Sequence, residues 1–475
     1  MRATCLVLVL CSNLAFASDW PRYRGVNGDG VSSDKDVPSD IGPGKSVLWK
    51  IATPKGNSSP VIGDGRIYLT GWEGDSRFVL CYDAKSGKEL WRRSVPRSFT
   101  EAPHPINGFT TPTVSLGAGR VLAFIPEFGL TALRAEDGKE LWTTKLGPFG
   151  AVQGLAGSPI FHDGRVYLLI DTPEQAWLGA YDANTGKLDW KVERQIGLLG
   201  GYSTPALYTT AQGRTLVIAP GAQELTAYDA KTGERVWWAR GVVMHPAAPP
   251  LVTKNAVYTV EPYGEGGGGP PWKEPTGKFD KNKDGVIELS EVAGDAPEAY
   301  IWRRILASID RNTGNKDNRV TEEEFVKGFM PPQTAGGLVR VKLEGKGDVS
   351  SGAVEWRHTK GVPYVTAPLL FRDVLWLVRN GGIVSTLDPA TGKVLKESRL
   401  KDAIGEYYAQ PVAAEDRIYF VSKDGKVTVT TAKAEWEILS SGDLAEDVIA
   451  TPAIADSKVY IRTDKSLWCF GKAAA

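Results

Sequence analysis

"AYDAKTGERVW", residues 227–237, is the stretch from which the fold is read, because the chain repeats it. "CYDAKSGKELW" (81–91) and "AYDANTGKLDW" (180–190) are near copies, and "LRAEDGKELW" (133–142) is a degenerate one. In "TLDPATGKVLK" (386–396) the Trp is gone; in "DVSSGAVEW" (348–356) the opening residues are gone. The chemistry is that of a hairpin. Asp accepts backbone N–H groups two residues on, and Gly supplies the positive φ that closes the turn. Trp, four residues past Gly, falls on the next strand, where it can cover an adjacent sheet.

Outward from this turn, every unit opens with a small residue, a Pro and an apolar run, as in "SSPVI", "STPAL" and "ATPAI". The prolines are Pro60, Pro112, Pro159, Pro205, Pro249, Pro368, Pro411 and Pro452. Pro is tolerated at the first residue of a strand, where no ladder bond is lost. Alternating strands such as "GRIYLTG" and "DRIYFVS" follow. Four strands per unit and eight units predict an all-β, eight-bladed β-propeller. The last unit has only three strands. Its outer strand is expected at 46–53, "SVLWKIAT", so that the N-terminal segment closes the ring and no edge is left open.

The start of the chain has the form of an export signal: Arg2, the apolar run "ATCLVLVLC", and "AFA" ending at Ala17. The run is too short to span a bilayer as a helix. A periplasmic or secreted protein beginning near Ser18 is expected, with no membrane span. Lys+Arg and Asp+Glu are both 56, and no basic run occurs, which argues against nucleic acid as a partner. Beyond the signal only Cys81 and Cys469 remain. They occupy the repeat position held elsewhere by Ala180 and Ala227, so buried free thiols are expected.

The interval from Pro249 to Pro368 is more than twice the others. The expected division is therefore a signal peptide (1–17), a leader (18–45), the closing strand and propeller to the middle of blade five (46–263), an inserted segment (264–335), and the rest of the propeller (336–472). The insert is read as small, α-helical and EF-hand-like. "DKNKDGVIELSE" (280–291) fits D-x-[DN]-x-[DN]-G-x5-E. Ca²⁺ takes six to eight oxygen ligands. Asp280, Asn282 and Asp284 supply side-chain oxygens, Val286 a carbonyl, Glu288 a direct or water-borne contact, and Glu291 both carboxylate oxygens. A second loop, "DRNTGNKDNRVTEEEF" (310–325), carries Asp310, Asn312, Asp317, Arg319 and Glu324 in similar order, with Asn318 in the Gly position. The segment 296–309 has helical apolar spacing. "PPWKEPTGKF" (270–279) is a poor entering helix and is expected to be irregular.

In a propeller the inter-blade links and the turns between second and third strands share one face. These links carry His104, Phe109, Tyr202, His245 and Tyr364, which are expected to form a funnel for an envelope protein or a small-molecule ligand.

The pattern Ala-x-Asp-x-x-x-Gly-Lys-x-x-Trp resembles the tryptophan-docking repeat of the quinoprotein, or PQQ-like, propellers over most of residues 46–472. "DWPRYRGVNGDGVS" (19–32) is similar to the leader of exported bacterial members. The family includes quinoprotein dehydrogenases and the non-enzymatic propeller lipoprotein of the barrel-assembly machinery. The resemblance implies the eight-bladed ring and leaves catalysis open. The chain has no Cys-Cys pair and no C-x-x-C-H motif, and no catalytic residue is transferred to it. The expected function is a calcium-stabilised binding or scaffold protein of the cell envelope, without redox chemistry of its own. The alternative is a PQQ-dependent dehydrogenase acting on alcohols or sugars. Ca²⁺ is the expected cofactor, with PQQ second.

Overall fold

The computed structural model describes residues 19–472 except 101–103, 150, 152, 198–199, 223, 262–270, 295–296, 313 and 330–335. The expected signal peptide lies outside these residues. Eight antiparallel sheets succeed one another, each in the strand order one-two-three-four. Blade one consists of Val61–Gly63, Arg66–Glu73, Ser76–Asp83 and Glu89–Val95. The middle strands are buried almost throughout, whereas the outer strand is exposed except at Trp91 and Val95. Blade eight takes Val47–Ala52 as its outer strand, antiparallel to Ser466–Phe470, so the ring is closed by the N-terminal strand as expected.

The repeated motif joins neighbouring blades. Trp91 of blade one lies on Gly138 of blade two, and its Nε1–H donates to Ala135 O at 3.1 Å. Trp142 and Trp190 do the same at Gly186 and Gly233, donating to Ala183 O (2.9 Å) and Ala230 O (3.3 Å). Trp49 on the closing strand reaches Gly87 and Ala84 O (3.3 Å). A tyrosine from the second strand adds a donor to the same carbonyl: Tyr68 to Ala135 O (3.2 Å) and Tyr167 to Ala230 O (3.0 Å). Asp229 Oδ1 accepts the N–H groups of Lys231 and Thr232, which fixes the turn that receives the ring.

Where the motif is lost, something else fills the place. Between blades four and five, Gly347–Asp348 pairs in parallel with the outer strand Arg235–Arg240. Between blades seven and eight the outer strand Ile438–Asp443 has no Trp, and the leader takes over: Tyr419 Oη donates to Pro38 O (2.8 Å) and Ser440 Oγ to Ser39 O (2.5 Å).

A second linkage runs round the inner wall. Ala367 N–H donates to Gln410 Oε1, Gln410 N–H to Thr451 Oγ1 (3.0 Å), and Thr451 N–H to Ser59 Oγ (3.0 Å). Ser59 N–H donates to Thr113 Oγ1 (2.9 Å), Thr113 N–H to Ser158 Oγ (3.0 Å), and Ser158 N–H to Thr204 Oγ1 (3.0 Å). Blade five stands outside this series. Its strand begins at Leu251, preceded by Pro249 and Pro250, and Pro249 has neither an N–H to donate nor a side-chain oxygen to accept.

The leader crosses the channel on the face opposite the inter-blade links. Trp20 bridges to Ile62, Val31–Ser32 pairs in parallel with Val412–Ala414 of blade seven, and the buried Arg24 donates to Pro368 O (2.9 Å) of blade six. Tyr23, between them, projects into the channel beside Thr451 and Gln410. Cys81 and Cys469 are free and buried, and burial pushes both thiols up to about 12.

Candidate functional site

The channel opens, on the face of the inter-blade links, into a cavity of about 140 Å³ whose floor is Tyr23. Four of the five expected funnel residues line it: His104, Tyr202, His245 and Tyr364. Phe109 does not. Its ring packs edge-on against Trp72 (5.1 Å) and carries the guanidinium of Arg77 (3.8 Å). Arg77 is itself buried and paired with Glu127 of blade two at 2.5 Å, so Phe109 serves the joint between blades one and two. Glu101, on the same link, lies outside the described residues. Tyr408 and Gln410 of blade seven also line the cavity. Gln410 immediately precedes Pro411, one of the landmark prolines, at a position that in the sequence marks only a strand start.

The links brace one another. Asn57 Nδ2 donates to Ile106 O (2.5 Å), Ile106 N–H to His104 Nδ1 (3.3 Å), and Asn107 Nδ2 to Gln153 O (3.0 Å). Tyr202 and His245 meet edge to face at 5.4 Å. Burial pushes the imidazole of His245 below its ordinary 6.5, against an opposing contact from the Gly200 backbone, so its neutral form is favoured.

Among the described residues lining the cavity there is no Asp, Glu, Lys or Arg. That composition tests the two chemistries the family offers. PQQ is a polycarboxylated quinone and needs cationic partners, and a Ca²⁺ ion beside it needs carboxylates. The described wall offers neither, so the residues present do not fit PQQ, and no redox step is derived through it.

The insert leaves blade five between Ala256–Glu261 and Gly337–Lys342. It contains helices α1 (Lys273–Phe279), α2 (Pro297–Asn312) and α3 (Glu322–Phe329). The entering segment is helical after all. Pro275 falls in the first turn, where its missing N–H costs nothing, and Trp272 packs on Phe325 at 4.9 Å. The two loops meet through the short pair Ile287–Glu288 and Arg319–Val320, with Ile287 opposite Val320.

The loops share one hydrogen-bond pattern, and it changes the register of the second. In the first, Asn282 Nδ2 donates to Asp284 Oδ2 (3.2 Å), Gly285 N–H to Asp280 Oδ2 (3.0 Å), and Glu291 Oε1 accepts Lys281 N–H (3.0 Å). In the second, Asn315 Nδ2 donates to Asp317 Oδ2 (2.9 Å), Asn318 N–H to Asp310 Oδ2 (3.2 Å), and Glu324 Oε1 accepts Asn315 N–H (3.2 Å). Asn315 thus stands where Asn312 was expected; Asn312 is the last residue of α2. Asn318 has φ 64° in the place of Gly285. Glu288 corresponds to Thr321, whose N–H donates to Glu324 Oε2 (3.0 Å) as Glu288 N–H donates to Glu291 Oε2 (2.9 Å). The first loop has one orphan: Asp280 Oδ1 is buried without a hydrogen-bond partner, as an oxygen awaiting a cation would be. Among the described residues no three His, Cys, Asp or Glu side chains form a ready metal cage; the candidate donors include an amide and a carbonyl besides carboxylates. The insert also touches the ring away from its own blade, through Arg304 on α2 to Glu174 of blade three at 3.0 Å.

Among the described residues no helix is long and apolar enough to cross a membrane. The outer membrane protein assembly factor BamB of Shewanella oneidensis is 23% identical over 381 residues, covering 78% of this chain and 84% of that protein. The crystal structure of BamB from Moraxella catarrhalis superposes with a TM-score of 0.57 at 13% identity, covering 90% of this chain and 98% of that one. Quinohemoprotein alcohol dehydrogenase from Comamonas testosteroni superposes at 0.60, also at 13% identity, covering 96% and 81%. At such identity the superpositions speak for the fold alone. The family profile described as outer membrane protein assembly factor BamB matches residues 34–170, 107–265, 174–295 and 303–474, and with nearly the whole ring so covered, the chain belongs to that family of PQQ-like repeat propellers.

Proposed function

We propose that the protein is an exported binding or scaffold propeller of the cell envelope, periplasmic or secreted, with calcium bound in its insert and no redox chemistry of its own. The observation that carries the reading is the uncharged channel mouth. A quinone site needs charge there; a surface that docks another molecule does not. The likeness to assembly factors points the same way: the partner would be an envelope protein. The test is co-purification from the native envelope. A specific protein partner is expected. A bound small-molecule chromophore, or dye reduction with alcohols or aldoses after reconstitution with PQQ and Ca²⁺, would overturn the reading.

The calcium component is supported by the first loop, with its orphaned Asp280 oxygen and Glu291 folded back across the opening. Asp280, Asn282, Asp284, Val286, Glu288 and Glu291 would hold the ion. The insert's core is small, a cluster around Trp302, Leu306 and Phe325, so bound metal would add order that packing supplies only in part. Titration calorimetry on the whole mature chain should give a dissociation constant of about 10⁻⁴–10⁻³ M, as in extracellular modules of this kind. Glu291→Ala should abolish the heat from the first loop; an unchanged isotherm would remove calcium from the account.

A further inference from the structure

The mouth of the channel has a composition that selects among ligands. Its wall is polar but, among the described residues, uncharged. Its lower tier is the hydrogen-bonded series already described, in which Ser59, Thr113, Ser158 and Thr204 are all buried. Each of these hydroxyl oxygens accepts a backbone N–H from the preceding blade, at 2.9–3.0 Å. That leaves the hydroxyl proton of each for another acceptor. Four such donors follow the curve of the wall across four consecutive blades. Above them stand aromatic rings: Tyr202, fixed edge-on by His245, and Tyr364, which is 39% exposed at the rim.

Three ligand classes fail here. An ion would lose its hydration without meeting an opposite charge. A peptide with ionised side chains or ends meets the same obstacle. A purely apolar ligand would cover the buried hydroxyls and leave them unpaired. A neutral ligand dense in hydroxyls fails none of these tests. It accepts from the four protons below and from His104 Nε2–H, whose Nδ1 is taken by Ile106 N–H, donates to side-chain amide oxygens of the wall, and lays its C–H face on a tyrosine ring.

We infer that the channel mouth is a binding site for a neutral saccharide. Tyr364 is the stacking platform, and the hydroxyl tier of blades one to four reads the sugar's oxygens. The inference goes beyond the proposed protein partner by giving the basin itself a ligand class, and it rests on the proposed binding role but not on the calcium loops. Tyr23 closes the cavity from below, so the site takes a short sugar or the end of a chain and lets nothing thread through.

Saturation-transfer NMR on the full mature protein tests this, with cellobiose, maltose and N,N′-diacetylchitobiose as neutral probes. Digalacturonic acid and a charged tetrapeptide are the controls. At least one neutral disaccharide should show saturable transfer, and the controls none. Tyr364→Ala should weaken binding at least tenfold with the melting temperature unchanged. Thr204→Val provides a second variant from the buried tier; if it does not fold, Tyr364→Ala alone decides. No transfer from any neutral sugar, stronger transfer from the acidic one or from the peptide, or binding indifferent to Tyr364→Ala would each overturn the inference. Capture of the envelope partner is measured on the wild type and on the same Tyr364→Ala protein. Retained capture without sugar binding by the wild type sinks the saccharide site alone; failed capture by the wild type sinks the scaffold reading.

Discussion

Gly186 has φ 71°, and a Cβ there would lie 2.4 Å from the ring of Trp142. Gly186→Ala therefore strains the backbone and displaces the docked indole together. The expected loss is about 2–4 kcal/mol, read as an earlier denaturant midpoint. Gly65, with a similar φ but open space around it, should lose less on the same change, because only the backbone component applies. His245 gives a pH signature. Its folded-state pKa lies below 6.5, so the unfolded chain binds the proton more tightly. Stability from this residue is full above 6.5 and is lost as pH falls through the folded-state value. His245→Gln should flatten the fall in melting temperature between pH 7 and pH 5. At this scale the Asp, Gly and Trp of the repeat were legible, because turn chemistry is local. The second-strand tyrosines were not. Tyr68 and Tyr167 sit in ordinary alternating strands, and nothing nearby in sequence announces that each shares a carbonyl with the next tryptophan. Phe109 was misplaced for a related reason: a link aromatic can face the cavity or a buried guanidinium, and the choice depends on Arg77, thirty-odd residues away.

Among the elements, the insert separates spacing from geometry. The first calcium loop is readable because its ligand spacing is standard. The second has extra residues, and counting ligands from its start selects Asn312. The helix runs on through Asn312 instead, and Asn315 repeats the hydrogen bonds of Asn282. If the second loop takes calcium, Asn315→Ala should weaken it, whereas Asn312→Ala should leave the isotherm unchanged. Equal effects, or the reverse order, would restore the original register. Arg319 adds a charge argument. Its guanidinium lies 3.5 Å from Asp284 and 3.9 Å from Glu288 of the first loop, and a fixed cation opposes another arriving beside it. Helix α1 forms over Lys273–Phe279 although its segment reads as a poor entering helix. In a first turn, Pro costs no hydrogen bond.

At the scale of the whole molecule, two circuits hold the blades: outer tryptophans docking on glycines, and inner hydroxyls accepting N–H groups. Arg462 secures the closure between blades eight and one. It is fully buried and donates to Ser58 O (3.1 Å), Thr70 O (2.8 Å) and Pro54 O (3.0 Å). Arg462→Met should cost about 3–4 kcal/mol, since the carbonyls are left buried and unmatched. A melting curve shifted by less than a degree would mean that Val47–Ala52 closes the ring unaided. The blade count and the closing strand were readable because repeats carry their own register. The leader was not readable as a plug: its residues follow no period, and their partners are spread over blades one, two, six, seven and eight. Its path fixes an orientation. Asp19 lies beside Asp64, in the first hairpin turn of blade one, on the side away from the cavity. From Asp19 the described chain thus enters the ring on its underside and leaves the basin open on the far face, like a cup on its stem.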